Sequence, residues 1–266
     1  MRRTIGFAAA MAVVAGSAQA ATVTIDRFTD LFEAEDFITS AGSQINAISP
    51  RPGLEIGALL LPGSAVVGDP TPPATMRSQE QQNQVGLGGV LGGERLGTLT
   101  ASTPPPYSGR VSAGIFSGFG SLSTAFGVQG VFDLEYGANT PLDADLESTL
   151  TATGQFIIDL VSSDMDNSNP QRSVPATITV TSGVGGSEVT ASSTISLVGE
   201  GFYALPFGDF AGVDFSDVDR IKISFDQSGA DAVAVDFAIT QFRAVPAPGA
   251  IALMGLGGLA AARRRR

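Results

Sequence analysis

The sequence predicts an all-β protein, an antiparallel sandwich, and three observations predict it. Several segments alternate apolar and polar residues with period two, the pattern of half-buried strands. Those segments are short, rich in β-branched residues and divided by Gly, Ser, Asn and Asp turns, the spacing expected of a sandwich. No window past residue 20 sustains a long helical period, which excludes helical bundles and alternating α/β folds.

Taken in order, the first segment is ambiguous. Asp30 to Ile38, "DLFEAEDFI", reads as a strand or as a short helix capped by Asp30 and Glu33. Residues 38–106 contain no aromatic side chain, and residues 50–106 hold nine of the 15 prolines. "GDPTPPATMRSQEQQNQ" therefore reads as a loop or poorly ordered segment. "VGLGGVLGGERLGTLTAS" is rich in glycine, but a phosphate-binding glycine loop needs a helix after it. "ERLGTLTAS" looks like a strand, so Glu94 to Ala101 is expected to enter the sheet. "STPPPYSG" makes a turn, and the next strand falls near Arg110 to Phe116.

The second half carries the cleanest alternation. Val131 to Tyr136 sets Phe132, Leu134 and Tyr136 against Asp133 and Glu135. Gln155 to Leu160 points Phe156, Ile158 and Leu160 inward. Ala176 to Thr181 sets Ile178 and Val180 against Thr177, Thr179 and Thr181. Arg220 to Asp226 places Ile221, Ile223 and Phe225 opposite Arg220, Lys222, Ser224 and Asp226. Val233, Val235, Phe237 and Ile239 repeat the pattern.

Composition narrows the chemistry. The chain lacks Cys, His and Trp, which excludes disulfides, thiol chemistry, Ser-His-Asp and Cys-His nucleophilic sites and ordinary zinc sites. Its one lysine, Lys222, sits in a strand-like run and is poorly placed for Schiff-base work. The net charge is −11, yet six of the 15 basic residues lie at the two ends, while all 26 acids lie between them. So acidic a body repels nucleic acid and anionic lipid and suits cation binding.

The ends carry addresses. Residues 1–20, "MRRTIGFAAAMAVVAGSAQA", combine a basic start, an apolar core and small residues at Ala18 and Ala20. This is the pattern of a secretory signal peptide, cut by signal peptidase after Ala20. At the other end, Gly249 to Ala262 is apolar and uncharged, and Arg263, Arg264, Arg265 and Arg266 follow. Counted from Val245, the run approaches the ~20 residues that span a bilayer. The arginines would then stay inside, leaving the acidic body outside. The expected organisation is a signal helix at 1–20, a β-sandwich at 21–244 with Pro/Gly-rich loops around 50–106, and a transmembrane-like helical tail at 245–266.

Val245-Pro246-Ala247-Pro248, the apolar run and the arginine cluster together resemble the PEP-CTERM sorting signal of Gram-negative bacteria. That family's usual Glu is replaced here by Ala247. The resemblance implies recognition by an exosortase, a membrane protease-transpeptidase, with anchoring in the inner membrane before processing and association with exopolysaccharide. Residues 127–242, with "GFYALPFGDFAGVDFSDVDRIKISFD" and "ADAVAVDFAITQF", also resemble the jelly-roll body of such proteins. This implies a sandwich related to galactose-binding-like modules, with no particular ligand.

Acids gather in "LDADLE", "SDMDNSN" and "VDFSDVD". Asp and Asn populate turns because they bond the local backbone. The sharper reading is a structural calcium, which takes six to eight oxygens, with Asp164 and Asp166 as its leading ligands. Paired carboxylates also serve glycoside hydrolases, but an acidic sandwich places carboxylates near each other without design. A sugar cleft should offer aromatic platforms, and the three tyrosines, Tyr107, Tyr136 and Tyr203, read better as packing residues. The resulting expectation is a non-catalytic, exported envelope or matrix protein. A carbohydrate-binding module or a hydrolase on the same scaffold is the rival.

Overall fold

The computed structural model describes residues 22–39, 42–45, 55–59, 76–103, 109–150, 154–165, 173–183, 185–228 and 234–246. Fifteen strands run through them. The first eight are β1 (Val23–Asp26), β2 (Phe32–Thr39), β3 (Gly42–Ile45), β4 (Glu55–Leu59), β5 (Met76–Val85), β6 (Glu94–Thr103), β7 (Gly109–Phe116) and β8 (Phe119–Thr124). The others are β9 (Gln129–Tyr136), β10 (Gly154–Ser163), β11 (Val174–Ser182), β12 (Val189–Leu197), β13 (Gly201–Pro206), β14 (Val218–Asp226) and β15 (Val235–Pro246). A single helical turn, Glu147–Leu150, and 3-10 turns at Leu91–Gly93 and Phe207–Asp209 interrupt them.

The strands form two antiparallel sheets. The eight-stranded sheet runs β13-β10-β15-β8-β7-β2-β3, with β1 also paired to β15. The seven-stranded sheet runs β12-β11-β14-β9-β6-β5-β4. Every ladder between them is antiparallel. The expected fold class, all-β with antiparallel sheets, is therefore the observed one.

The core lies where the two inner faces meet, and period two fills it. Phe132, Leu134 and Tyr136 of β9 are buried, as are Phe156, Ile158 and Leu160 of β10. Ile178 and Val180, then Ile221, Ile223 and Phe225, and Val235, Phe237 and Ile239 continue the layer. Val233, placed in the last set by its spacing, lies outside the described residues. Phe225 meets Phe237 across the sandwich at 5.2 Å between ring centroids. At one end Phe156 gathers Phe207, Phe210, Phe215 and Phe242 within 6.2 Å, a dense aromatic plug.

Several segments are sharpened or corrected. The ambiguous "DLFEAEDFI" is strand β2, not a helix. The strands expected at Glu94 to Ala101 and Arg110 to Phe116 are β6 and β7. "MRSQEQQNQ" is no loop: it forms most of β5, paired to β6 over ten consecutive positions. Its inward side chains at this end are Gln82 and Gln84, so hydrogen bonding rather than apolar alternation sets its register. The glycine run before β6 turns at Gly86, Gly92 and Gly93, all at positive φ, and a strand follows it where a phosphate loop needs a helix.

Among the described residues no helix is long and apolar enough to cross a membrane. The expected signal helix at 1–20 and all of the tail beyond Pro246 lie outside those residues.

Candidate functional site

The outer face of the eight-stranded sheet carries an open polar surface. Alternation sends Leu122 and Phe237 into the core, so their neighbours Ser121, Ser123, Asp236 and Ala238 face out. Register places Asp236 opposite Ser123, and Ala238 opposite both Ser121 and Ser162. A shallow groove of about 480 Å³ runs over this ground, bounded by Ser162, Ser163 and Asp164 at the end of β10. Small side chains keep it open, and hydroxyls and carboxylates line it.

Two exposed phenylalanines stand on the same face. Phe119 is 44% exposed and shares the outward phase of Ser121 and Ser123. Phe202, 69% exposed, lies on the edge strand β13 opposite Asp159. The Arg243 guanidinium stands 5.9 Å from the Phe202 ring centre. Strands β15 and β10 separate the two rings, three strand spacings or about 14 Å across the sheet. Two of the tyrosines offer no such platform, since Tyr136 is buried and the Tyr203 hydroxyl bonds Gly199 O at 2.6 Å; Tyr107 lies outside the described residues. Sequence reasoning missed Phe119 and Phe202, although the phase of "FGSLST" already puts Phe119 with the serines.

Asp164, an expected calcium ligand, holds the groove's end. Its Oδ1 accepts the Asp236 backbone N–H at 2.8 Å, and its own N–H donates to Asp236 O at 3.0 Å. That is the turn-building role of an aspartate. Its expected companion, Asp166, lies outside the described residues.

Carboxylates converge elsewhere. Asp143, Asp217 and Asp219 bring oxygens within 4.8 Å of one another, the first two exposed and the third buried. Leu142 and Ala144 N–H groups donate to Asp219 O and Val218 O, which lays the 137–144 segment along β14. Gly137 makes that approach feasible: its φ is +81°, and a Cβ there would stand 2.2 Å from Asp219 O. The trio joins two of the acid clusters seen in the sequence, and oxygens in this number form part of a calcium shell. Nearby, the Ser216 hydroxyl and backbone N–H both donate to Asp214 Oδ1 and hold its carboxyl below the ordinary 3.8.

A third polar cluster is sealed inside. Asp26 of β1 receives Arg95 Nη1 at 2.7 Å, the Phe28 N–H at 2.7 Å and the Tyr136 hydroxyl at 3.0 Å. Arg95 also donates to Gln84 Oε1 and to Asp30 O. Burial raises the Asp26 carboxyl above 3.8, against the pull of Arg95 and these hydrogen bonds. It also pushes Tyr136 well above 10. Buried and hydrogen-bonded on all sides, the cluster fastens β1 to the opposite sheet. Lys222 is partly exposed and pairs with Asp133 at 2.8 Å on the outside of the seven-stranded sheet.

Of the sorting motif, Val245 and Pro246 finish β15, opposite Gln155 and Gly154 of β10. Ala18, Ala20, Ala247, Pro248 and Arg263 to Arg266 lie outside the described residues.

No family model matches the chain, and no curated protein matches it. Among solved structures, an agarase superposes with a TM-score of 0.36 at 13% identity, over 52% of this chain and 22% of that one. A carbohydrate-binding module solved in solution gives 0.36 at 11%, over 87% and 98%. An exo-beta-agarase gives 0.32 at 12%, over 75% and 24%. This chain thus spans roughly a fifth to a quarter of the length of those agarases. Superpositions this distant carry no information about what the chain binds.

Proposed function

We propose that this chain is a non-catalytic, exported protein of the cell envelope or extracellular matrix that contacts polysaccharide through the outer face of its eight-stranded sheet. The observation that carries the reading is the groove over β8, β15 and β10, with Ser121, Ser123, Ser162, Ser163, Asp164 and Asp236 on its walls and Phe119 and Phe202 exposed on the same face of the sheet. A sugar ring presents hydroxyls at its edge and C–H groups on its faces. Serines give and accept hydrogen bonds, carboxylates accept them, and an exposed ring supplies a flat apolar surface. An open groove suits a long chain that enters from the side. The acidic body argues against nucleic acid as the partner.

Delivery is the second part of the proposal. Signal peptidase removes residues 1–20 after Ala20, and an exosortase acts on the tail beginning at Val245-Pro246-Ala247-Pro248. The tail holds the protein in the inner membrane, transiently or stably, with Arg263 to Arg266 on the cytoplasmic side. The sequence resemblance supports this part, together with the split between an acidic body and basic ends.

A glycan array and a polysaccharide hydrolysis screen on the purified chain test the first part. Saturable binding without turnover is expected. Absence of binding across acidic and neutral polysaccharides removes the reading, and product release that survives purification replaces it with the hydrolase.

A further inference from the structure

Strand β12 closes the seven-stranded sheet, and among the described residues no strand pairs with its outer edge. The other strands that end the sheets are short: β3 has four residues, β4 five with Glu55, and β13 six ending in Pro206. β12 has nine, "VTASSTISL", with neither charge nor proline. It pairs β11 without a bulge from Val174↔Leu197 to Ser182↔Val189. Natural edges are normally blunted by charge, proline, bulges or brevity, and this one has none of these.

The strand is also a chemical palindrome about Ser193. Reversed against itself, Val189 meets Leu197 and Ala191 meets Ile195 on the inner face, while Thr190 meets Ser196 and Ser192 meets Thr194 on the outer. Apolar faces apolar, and hydroxyl faces hydroxyl. The outer pairing repeats what β12 already makes with β11, where Thr177–Thr194, Thr179–Ser192 and Thr181–Thr190 hydroxyls meet at 2.8, 2.8 and 2.9 Å. Centring on a residue also brings outward-pointing backbone groups of one copy onto those of the other. Only the Ser193 centre uses all nine positions.

We infer that β12 is a docking edge for a second copy of this chain, joining two seven-stranded sheets across a two-fold axis at Ser193. The half-buried Ala191 and Ile195 gain apolar cover in the pair. The contact is smaller than the standard interface of ~800 Å² a side, so it acts where chains are crowded. Glu188 and Glu200 flank the strand, and the pairing brings Glu188 of one copy to within two residue positions of Glu200 of the other, so it tightens as salt rises.

Because the chain has no cysteine, an introduced one reports the geometry directly. In the full chain, Ser193→Cys faces its own copy within the 4.4–6.8 Å a disulfide spans, whereas Thr190→Cys faces position 196 and lies about 20 Å from its copy. Mild oxidation should give disulfide dimers of Ser193→Cys at least ~10-fold faster than of Thr190→Cys, given those distances. Equal rates, or no dimer from Ser193→Cys, overturn the inference. A Ser192→Lys/Thr194→Lys chain and a Ser192→Glu/Thr194→Glu chain supply a second test: these side chains are exposed and give up only the hydroxyl contacts to Thr179 and Thr177, and circular dichroism checks that each chain keeps the fold. Each alone should be monomeric by sedimentation, and their mixture should give a one-to-one dimer. A mixture that stays monomeric, or open-ended polymers, overturns it too.

Discussion

Arg95 Nη1 lies 2.7 Å from Asp26 Oδ2, with both side chains fully enclosed. The pair ties the four-residue strand β1 to β6 of the opposite sheet, and Tyr136 and Gln84 complete the hydrogen bonds. Removing one member strands a buried charge. Arg95→Met should therefore destabilise the fold by about 3–5 kcal/mol, and Asp26→Leu/Arg95→Met by much less than the sum of the single changes. Denaturant midpoints of the three variants check this.

The Arg95→Met deficit should also depend on pH. Burial already raises the Asp26 carboxyl, and Arg95 is among the groups that restrain the rise. Without it the folded value climbs farther above 3.8. A group raised in the folded state contributes stability below its unfolded pKa and loses it as pH rises through the folded pKa. The deficit should be small near pH 3 to 4 and grow toward neutrality. A deficit independent of pH would mean that Asp26 is not the group left uncompensated.

Asp214 should behave in the opposite sense. Its hydrogen bonds from Ser216 lower its carboxyl, so their small contribution is present above 3.8 and lost as pH falls through the folded value. Carboxyl NMR titration should show Asp214 below the ordinary aspartates, and Ser216→Ala should move it toward 3.8. An unmoved midpoint in that variant assigns the shift to something else.

On the sheet's outer face, Phe119→Ala and Phe202→Ala should each weaken polysaccharide binding by about 1 kcal/mol or more if the rings are contact centres. Melting temperature should hardly change, because both rings are already exposed. Affinity electrophoresis of the variants beside the parent chain measures the first, and calorimetry the second.

Three like charges within 4.8 Å repel. In the presence of chelator, Asp217→Asn should melt above the parent chain. Parallel melts in excess calcium report on a cation: a parent midpoint that does not move excludes calcium from Asp143, Asp217 and Asp219.

The fold was legible wherever burial and alternation coincide. Ile221, Ile223 and Phe225 announce β14 from the sequence because apolar burial alone sets their register. β5 was not legible, since the residues its described end turns inward are Gln82 and Gln84, and the partners of Gln84 are distant in the chain. Gln84 donates to Leu31 O and accepts from Arg95, contacts that no local pattern encodes. The acid trio was half legible. Asp143 and the Asp217–Asp219 pair each stand out as acidic turns, but only the folding of 137–144 onto β14 joins them. The groove left no mark in composition, because serines on a sheet face read like serines in any turn.

Pairing of β1 with β15, Val23 against Ala244, has a consequence for when the molecule can fold. Among the described residues the last strand in the chain is an interior member of its sheet, between β10 and β8, and it is also the strand to which the first one clips. Before residues 235–246 are available, β10 and β8 have no common neighbour and β1 has no seat. Emergence of residues 235–246 is therefore the event that completes this sheet.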